Sequence, residues 1–422
     1  MKVLVSAFAC SPYRGSEPGV GWGWVKAISE YHDLWVLTGR QFEGEIEQEL
    51  TLRPKLRERI HFQFIARKRW LLLEKIWPPA YLWTYQLWQK EAYRLAVQLH
   101  REIGFDLVHQ LTYVGFRVPG YLWQLGVPFV WGPIGGLENT PWRLLPMMGL
   151  RGAVYYGARN IVNSLHKRFL GLPKRAFAKA AASGAIIAAT EGTRREIRRW
   201  YGCDSRVICE IGPPEQIATD CSVRSDGSPL RLAWSGLHEP GKALPLLLGA
   251  LARLRPEVKW QLDILGDGPC TPTWKRLAQR LGMDSRCAWH GWLLRDKAVS
   301  IVHNSHAFVI TSIKDLTSTV LLEALSQGVP VVCLDHCGFR DVVTDECGIR
   351  IPIQTPQQVI RDMADAIGMI WQRESWRREL AMRALHRVRA FSWVKKADSL
   401  TSLYMHAMAR TQGLHGEECI RS

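Results

Sequence analysis

The sequence predicts an α/β protein built from two similar parallel-sheet domains, and three observations carry that prediction. The chain is 422 residues long, more than one hydrophobic core usually serves. Strand-like apolar runs alternate with helix-length segments along most of it. That alternation breaks once, near the middle, and then restarts.

In chain order the first half reads KVLVSAF, a helix after Pro18, DLWVLT, IHFQFIA, a long helix near residues 80–102, DLVHQ, VPFVWG, AIIAAT and RVICE. These runs hold few polar positions, as expected of parallel strands covered by helices on both faces. GPPEQIATDCSVRSDGSP then interrupts the pattern; rich in Pro, Ser, Asp and Gly and without apolar period, it reads as a linker. The second half follows as LRLAWSG, a helix from Ala243, KWQLDILG, a helix around residues 274–281, RCAWHG, a helix from Arg295, HAFVIT, a helix after Thr319 and PVVCL. The last sixty residues are helical by composition, and the terminal GLHGEECIRS reads as frayed. The expected division is therefore a first domain over 1–212, a linker over 213–229, a second domain over 230–395 and a terminal helix over 396–422 that can cross back to the first domain.

Composition narrows the class. The hydrophobic share of 47% is that of an ordinary globular protein, and no run of 18 or more apolar residues suggests a membrane span. The opening MKVLVSAFACSP stops its apolar run at strand length before a Gly-containing loop, so it reads as a first buried strand rather than a signal peptide. Ten cysteines without a C-x-x-C pair point to reduced thiols in a cytosolic compartment, not to a disulfide framework or a zinc site. A formal charge of +16 favours phosphates, acidic polymers or anionic lipid as partners, against the plainer reading of a merely basic soluble surface.

In open parallel sheets ligands bind beyond the carboxyl ends of strands, so the residues just after each strand matter most. After HAFVIT come Ser312, Lys314, Asp315, Leu316, Thr317, Ser318 and Thr319, and then VLLEALSQG. Ser318 or Thr319 suits an N-cap, which aims the free N–H groups and the positive dipole end of the helix at an anion. Glu323 falls about one turn inside, roughly 6 Å up the axis. Two carboxylates flanking an N–H cluster suit a polyhydroxylated ligand that carries phosphate. The competing reading makes Asp315 and Glu323 solvated or capping acids.

This segment resembles the signature of retaining glycosyltransferases of family four, with its two acids separated by seven residues before an apolar helix ending in G-x-P-V-V. LDILGDGP, WHGWLL, SHAFVITS, CGFRDVV and CGIRIP stand in that family's order, and the similarity is strongest from about residue 230 to 352. The resemblance implies the GT-B fold, two Rossmann-like domains facing across a cleft. It implies that Glu323 binds the ribose of a nucleotide sugar and Asp315 the hydroxyls of the donor hexose. Asp stands here where Glu is usual, and Thr317 and Ser318 where an aromatic residue and a Gly are common. Of the family's phosphate-binding basic pair, SGLHEPGKAL retains only Lys242, with Leu237 or Gly236 in place of the Arg. Lys242 still meets a diphosphate as a point charge. By the same resemblance Gly266 and Gly268 let backbone approach the donor, Gly291, Trp292 and Leu293 flank the base, and Gly236 and Leu316 to Thr319 complete the nucleotide-sugar site.

In the first domain, YRGSEPGVGWGW has glycines at 19, 21 and 23 instead of the dinucleotide spacing, and the second strand ends in Thr38-Gly39-Arg40 without a ribose-binding acid, which argues against NAD. By resemblance it is the family's Gly loop: Gly15 and Ser16 present backbone N–H groups to donor phosphate or acceptor, and Glu17 orients the acceptor. His109 in FDLVHQLTY matches a His that lies at the reacting sugar in relatives. Gly135, Gly136 and Glu138 of WGPIGG and its continuation form a further cleft-facing loop. The implied activity is a metal-independent, retaining hexosyl transfer in which Lys242 and helix N–H groups stabilise the leaving diphosphate. His109, Asp315, Glu323 and Lys242 are then the catalytic set. No cofactor is expected and no D-x-D occurs in the chain.

Residues 67–88 interleave cations with Trp70, Trp77, Trp83 and Trp88, and a second basic stretch, HKRFLGLPKRAFAKAA, starts at His166. Cations beside Trp and Leu suit a helix in a lipid interface, hence peripheral contact of the first domain with an anionic membrane and a glycan or lipid-linked saccharide acceptor. Single-stranded nucleic acid is the weaker partner, because the aromatic residues fall on presumed helices rather than an open sheet. The rival function is a non-catalytic nucleotide- or carbohydrate-binding protein on a degenerate scaffold.

Overall fold

The computed structural model describes residues 1–66 and 80–421, with side chains to residue 411. Trp70 and Trp77 of the first aromatic–basic stretch lie outside the described residues.

Two sheets organise the chain. The first consists of β1 (Lys2–Ala7), β2 (Asp33–Gly39), β3 (Ile60–Ile65), β4 (Leu107–Thr112), β5 (Phe129–Ile134), β6 (Ile186–Ala188) and β7 (Arg206–Val207), in the order 3-2-1-4-5-6-7. The second consists of β8 (Leu230–Ser235), β9 (Trp260–Leu265), β10 (Cys287–Gly291), β11 (Ala307–Ile310), β12 (Val331–Leu334) and β13 (Gly348–Ile351), in the order 10-9-8-11-12-13. Adjacent strands pair in parallel, as at Val3↔Leu34 and Ala307↔Leu232. Each sheet reverses its winding once, between β1 and β4 and between β8 and β11, and a crevice opens at such a switch point. The central strands β4, β5, β11 and β12 are buried along their whole length, because helices cover both faces.

The chain divides into one unit of residues 1–138, 164–212 and 393–422 and another of residues 139–163 and 213–392. The boundaries differ in places from the division drawn on the sequence. Residues 139–163 count with the second unit, where Leu144, Leu145, Met148 and Tyr156 join the core made by Leu230, Leu232 and Trp234. Helix Trp393–Arg421 counts with the first, and it runs through the segment that composition marks as frayed. Gly23 and Gly212 make room for the Trp393 ring: a Cβ on either glycine would stand 2.3 Å from it. Trp393 also meets Trp24 edge-to-face at 5.8 Å, and the buried Lys396 donates to the carbonyl of Cys209.

Residues 213–229 hold no helix or strand, but they are not a free tether. Ala218 N–H donates to Ser326 O at 2.8 Å, and the buried Arg377 donates to Ser222 O at 2.6 Å, so the segment is hydrogen-bonded to the second unit.

Candidate active site

The loop after β8 carries Lys242 on a rigid base. Trp234 Nε1 donates to Thr311 Oγ1 at 2.9 Å, and that hydroxyl donates to Lys242 O at 2.6 Å. Ile313 N–H donates to Gly241 O at 2.8 Å. Ala243 takes a left-handed conformation at φ +46° and turns the chain into the buried helix Leu244–Leu251. The loops after the two strands that flank the switch point are thereby tied together. The Lys242 side chain extends from this anchored backbone.

Its Nζ lies 2.5 Å from Asp315 Oδ2, and the two side chains are 17% and 16% exposed. Asp315 Oδ1 accepts from Leu316 N–H at 3.0 Å, which fixes the carboxylate plane. Glu323, on helix Thr319–Ser326, accepts from Arg295 Nε at 3.1 Å and Nη2 at 3.0 Å, both on Oε1. Arg295 is 64% exposed and Glu323 18%, so the guanidinium covers the acid from solvent. Ser318 is the N-cap of this helix; its carbonyl accepts from Leu321 N–H at 2.9 Å, and its side chain makes no hydrogen bond to the helix. Leu321, Leu322, Ala324 and Leu325 bury the far side.

The loop over residues 315–319 is propped from behind by the one after β12. Gly338 N–H donates to Leu316 O at 2.8 Å, and a Cβ on Gly338 would fall 1.9 Å from Thr317 Oγ1. Gly266, at φ +104°, has its own local reason to lack a side chain: a Cβ there would stand 2.1 Å from Gly236 O. Gly268 is likewise pressed against His238, whose carbonyl would be 2.7 Å from an added Cβ. These two glycines let the loops after β8 and β9 touch each other. Trp292, beyond β10, is largely exposed, and Leu293 half-buried.

His238, which the sequence reading passed over, is buried in this loop. Its Nδ1 meets Thr271 Oγ1 at 2.7 Å, and its ring packs against Trp234, Trp274 and Trp289. Burial holds its imidazole below the ordinary range, and its Nε2 and Trp289 Nε1 are buried without a hydrogen-bond partner. The signal available was a His between the strand and Lys242 in SGLHEPGK.

In the first unit Gly15 is the exposed N-cap of helix Ser16–Ser29, and Ser16 adopts φ +57°, a conformation that a residue with a side chain rarely keeps without cause. Glu17 follows in the first turn. Its Oε1 accepts from Val114 N–H at 2.5 Å, and desolvation pushes its carboxyl up to about 7. Gly135 N–H donates to Val114 O at 2.6 Å, so Val114 is held on both sides, and Gly136 follows at φ +79°.

Two expectations need correction. His109 is fully buried inside β4, with Nδ1 2.6 Å from Tyr404 Oη and Nε2 2.7 Å from Gly132 O. Both ring nitrogens are engaged and burial lowers its pKa to about 4, so it can neither reach a sugar nor exchange a proton with one. It ties β4 and β5 to helix Trp393–Arg421. Glu138 is also structural: it accepts from Thr190 Oγ1 at 2.6 Å at the start of helix Glu191–Tyr201, where a carboxylate complements the helix dipole.

The two doubly wound sheets and their order define the GT-B class of α/β proteins. The chain is similar to lipopolysaccharide outer core galactosyltransferase WaaB in its apo form, with TM-score 0.62, 16% identity and coverage of 98% of this chain and 100% of that one. It is similar to HepE of Anabaena in complex with UDP-glucose, with TM-score 0.55, 16% identity and coverage of 95% and 98%. Likeness at such identities shows the fold. Residues 229–372 match the family model described as glycosyl transferases group 1. Among curated proteins, the D-inositol 3-phosphate glycosyltransferase of Corynebacterium glutamicum (strain R) is 25% identical over 249 residues, 54% of this chain. The match spans 58% of that relative, less than two thirds of its length.

Proposed function

We propose that the protein is a metal-independent, retaining glycosyltransferase that moves a hexose from a nucleotide-diphosphate sugar to a hydroxyl of a glycan or lipid-linked saccharide. The observation that carries this reading is the pairing at the switch point of the second sheet: Lys242 on Asp315, and Arg295 on Glu323, around a helix start to which the N-cap Ser318 gives no side-chain hydrogen bond. In the structure each acid holds a cation. A donor replaces those pairings by bringing hydroxyls to Asp315 and Glu323 and a diphosphate to Lys242 and the helix N–H groups.

In the reaction the bond between the anomeric carbon and the diphosphate oxygen breaks with its electron pair leaving on the diphosphate, which Lys242 and the N–H groups neutralise. The acceptor oxygen bonds to the anomeric carbon on the same face, and its proton passes to the departing phosphate. Gly15, Ser16, Glu17, Gly135 and Gly136 serve the acceptor side; His109 is withdrawn from that role. Relatives named for inositol phosphate and lipopolysaccharide acceptors, and the UDP-glucose complex of a structural neighbour, support a sugar donor and a place in cell-surface or extracellular polysaccharide synthesis.

The test is a panel of UDP- and GDP-sugars against the purified protein, read by thermal shift and by turnover with a chelator present. A donor that raises the melting point and is consumed supports the reading. Binding without hydrolysis or transfer from any donor favours the non-catalytic rival, and activity abolished by the chelator removes metal independence.

A further inference from the structure

Helix Gly149–Phe169 is turned inside out. At about 100° per residue, Leu150, Val154, Ile161, Leu165 and Phe169 fall within one arc of the helix, and all five are exposed, from 83% at Leu150 and 69% at Phe169 to 49% at Leu165. Tyr155 and Val162 widen the stripe. The opposite, buried face carries the polar groups. Asn160 spans both backbone groups of Thr140 at 2.9 and 2.8 Å, Asn163 donates to Asn139 at 2.8 Å, and Lys167 pairs with Glu196 and donates to Leu137 O. Polar groups that need partners have been placed inside and satisfied, while an apolar ridge about 30 Å long faces outward.

Charge says what covers that ridge. Between Glu138 and Glu191 the sequence holds no acidic residue, while Arg151, Arg159 and Arg168 lie on the helix and Lys174, Arg175 and Lys179 on the one that follows, all six exposed. An apolar stripe with cations along it and beside it, and no acid in that stretch of sequence, complements a bilayer surface bearing anionic headgroups. No helix among the described residues is long and apolar enough to cross a membrane, so the contact lies along the surface. The same signs disfavour a second copy of this chain, since two such faces would bring like charges together.

We propose that helix Gly149–Phe169 is a membrane-docking element whose apolar face enters the headgroup region of an anionic bilayer. The helix differs from the stretches marked by their tryptophans in the sequence. Of those, Trp88 is buried, with its Nε1 donating to Ile65 O at 3.3 Å, while Trp83 is exposed on helix Ala80–Ile103. The inference uses no property of the sugar site and stands or falls apart from it.

The experiment is co-sedimentation of the full chain, without nucleotide sugar, with vesicles of phosphatidylcholine alone or mixed with phosphatidylglycerol. Wild type is expected on the mixed vesicles and to come off as salt rises. Ile161→Glu with Leu165→Glu should weaken that binding at least tenfold, and Arg151→Gln with Arg159→Gln and Arg168→Gln should erase the preference for the anionic lipid. Both variants change exposed side chains, so their melting points should match wild type. Wild type that ignores the mixed vesicles, or a double-Glu variant that binds them equally well, overturns the proposal. A wild-type dimer that becomes monomeric in the double-Glu variant while vesicle binding persists also overturns it and assigns the face to self-association.

Discussion

Strand β4 and the loop after β8 occupy comparable places in two sheets of the same winding, each beside the switch point, yet they treat their basic residues in opposite ways. In β4 the His109 ring is sealed from solvent and both nitrogens are spoken for, by Tyr404 and Gly132. After β8, Lys242 is anchored through its backbone. Its ammonium rests on an acid that is itself partly exposed and open to exchange. A basic residue beside a switch point is therefore a candidate for chemistry only when its polar atoms can change partner without leaving a buried group unpaired. His109 fails that condition and Lys242 meets it. The contrast is energetic as well as geometric: freeing a buried polar group costs about 1–3 kcal/mol, whereas Lys242 and Asp315, at 17% and 16% exposure, can each take a ligand group in place of the other without being left unpaired.

Breaking the open side of the comparison should have the largest effect. Lys242→Ala removes a cation from the diphosphate site, and donor kcat/KM is expected to fall about 10²–10³-fold while the melting point stays close to wild type, measured by steady-state transfer and calorimetry. Next comes the closed side. His109→Ala leaves a cavity and two stranded partners, so unfolding free energy in urea should drop by about 2–4 kcal/mol, with kcat of the folded fraction unchanged; loss of kcat without loss of stability would return His109 to the chemistry. Glu323→Ala removes a charged acceptor for the donor, and KM for the donor should rise about 10–100-fold with the fold intact. Unaltered KM would detach the acid from the site.

The smallest effect is in pH. Burial lowers His32, His109 and His306 from an ordinary 6.5 to about 4, so the unfolded chain takes up protons there before the native one does. Stability should therefore decline as pH falls from 6.5 to about 4. Glu17, raised from 4.5 to about 7, works the other way: its contribution is complete below 4.5 and lost as pH rises through about 7. Because the lowered histidines outnumber Glu17, melting curves should show net loss on the acid side. Glu17→Gln should remove the opposing slope and make that loss steeper.

The strands were legible because parallel strands are apolar nearly throughout, and the loop over residues 312–319 was legible because a hydroxyl-rich turn led into an apolar helix. β13 was quoted only as a block, since CGIRIP is too short and mixed to announce a strand. The depth of His109 could not be read locally, because helix Trp393–Arg421, almost 300 residues away, supplies the Tyr404 that closes over it. For the same reason nothing in 139–163 declared its packing against Trp234 and its neighbours. Only the end of helix Gly149–Phe169 was marked, through the basic stretch from His166; the rest of its apolar stripe faces outward, so its period does not mark a core, and its inward polar residues disguise the buried side.

The central claim is that an activated sugar's diphosphate is caught by Lys242 at the start of helix Thr319–Ser326. A crystal structure with UDP bound tests it most directly. The account predicts the diphosphate within hydrogen-bond reach of Lys242 Nζ, the contact of Lys242 with Asp315 opened beyond its present 2.5 Å, and the ribose on Glu323 in place of Arg295. Nucleotide bound elsewhere, with both ion pairs still closed, would contradict it.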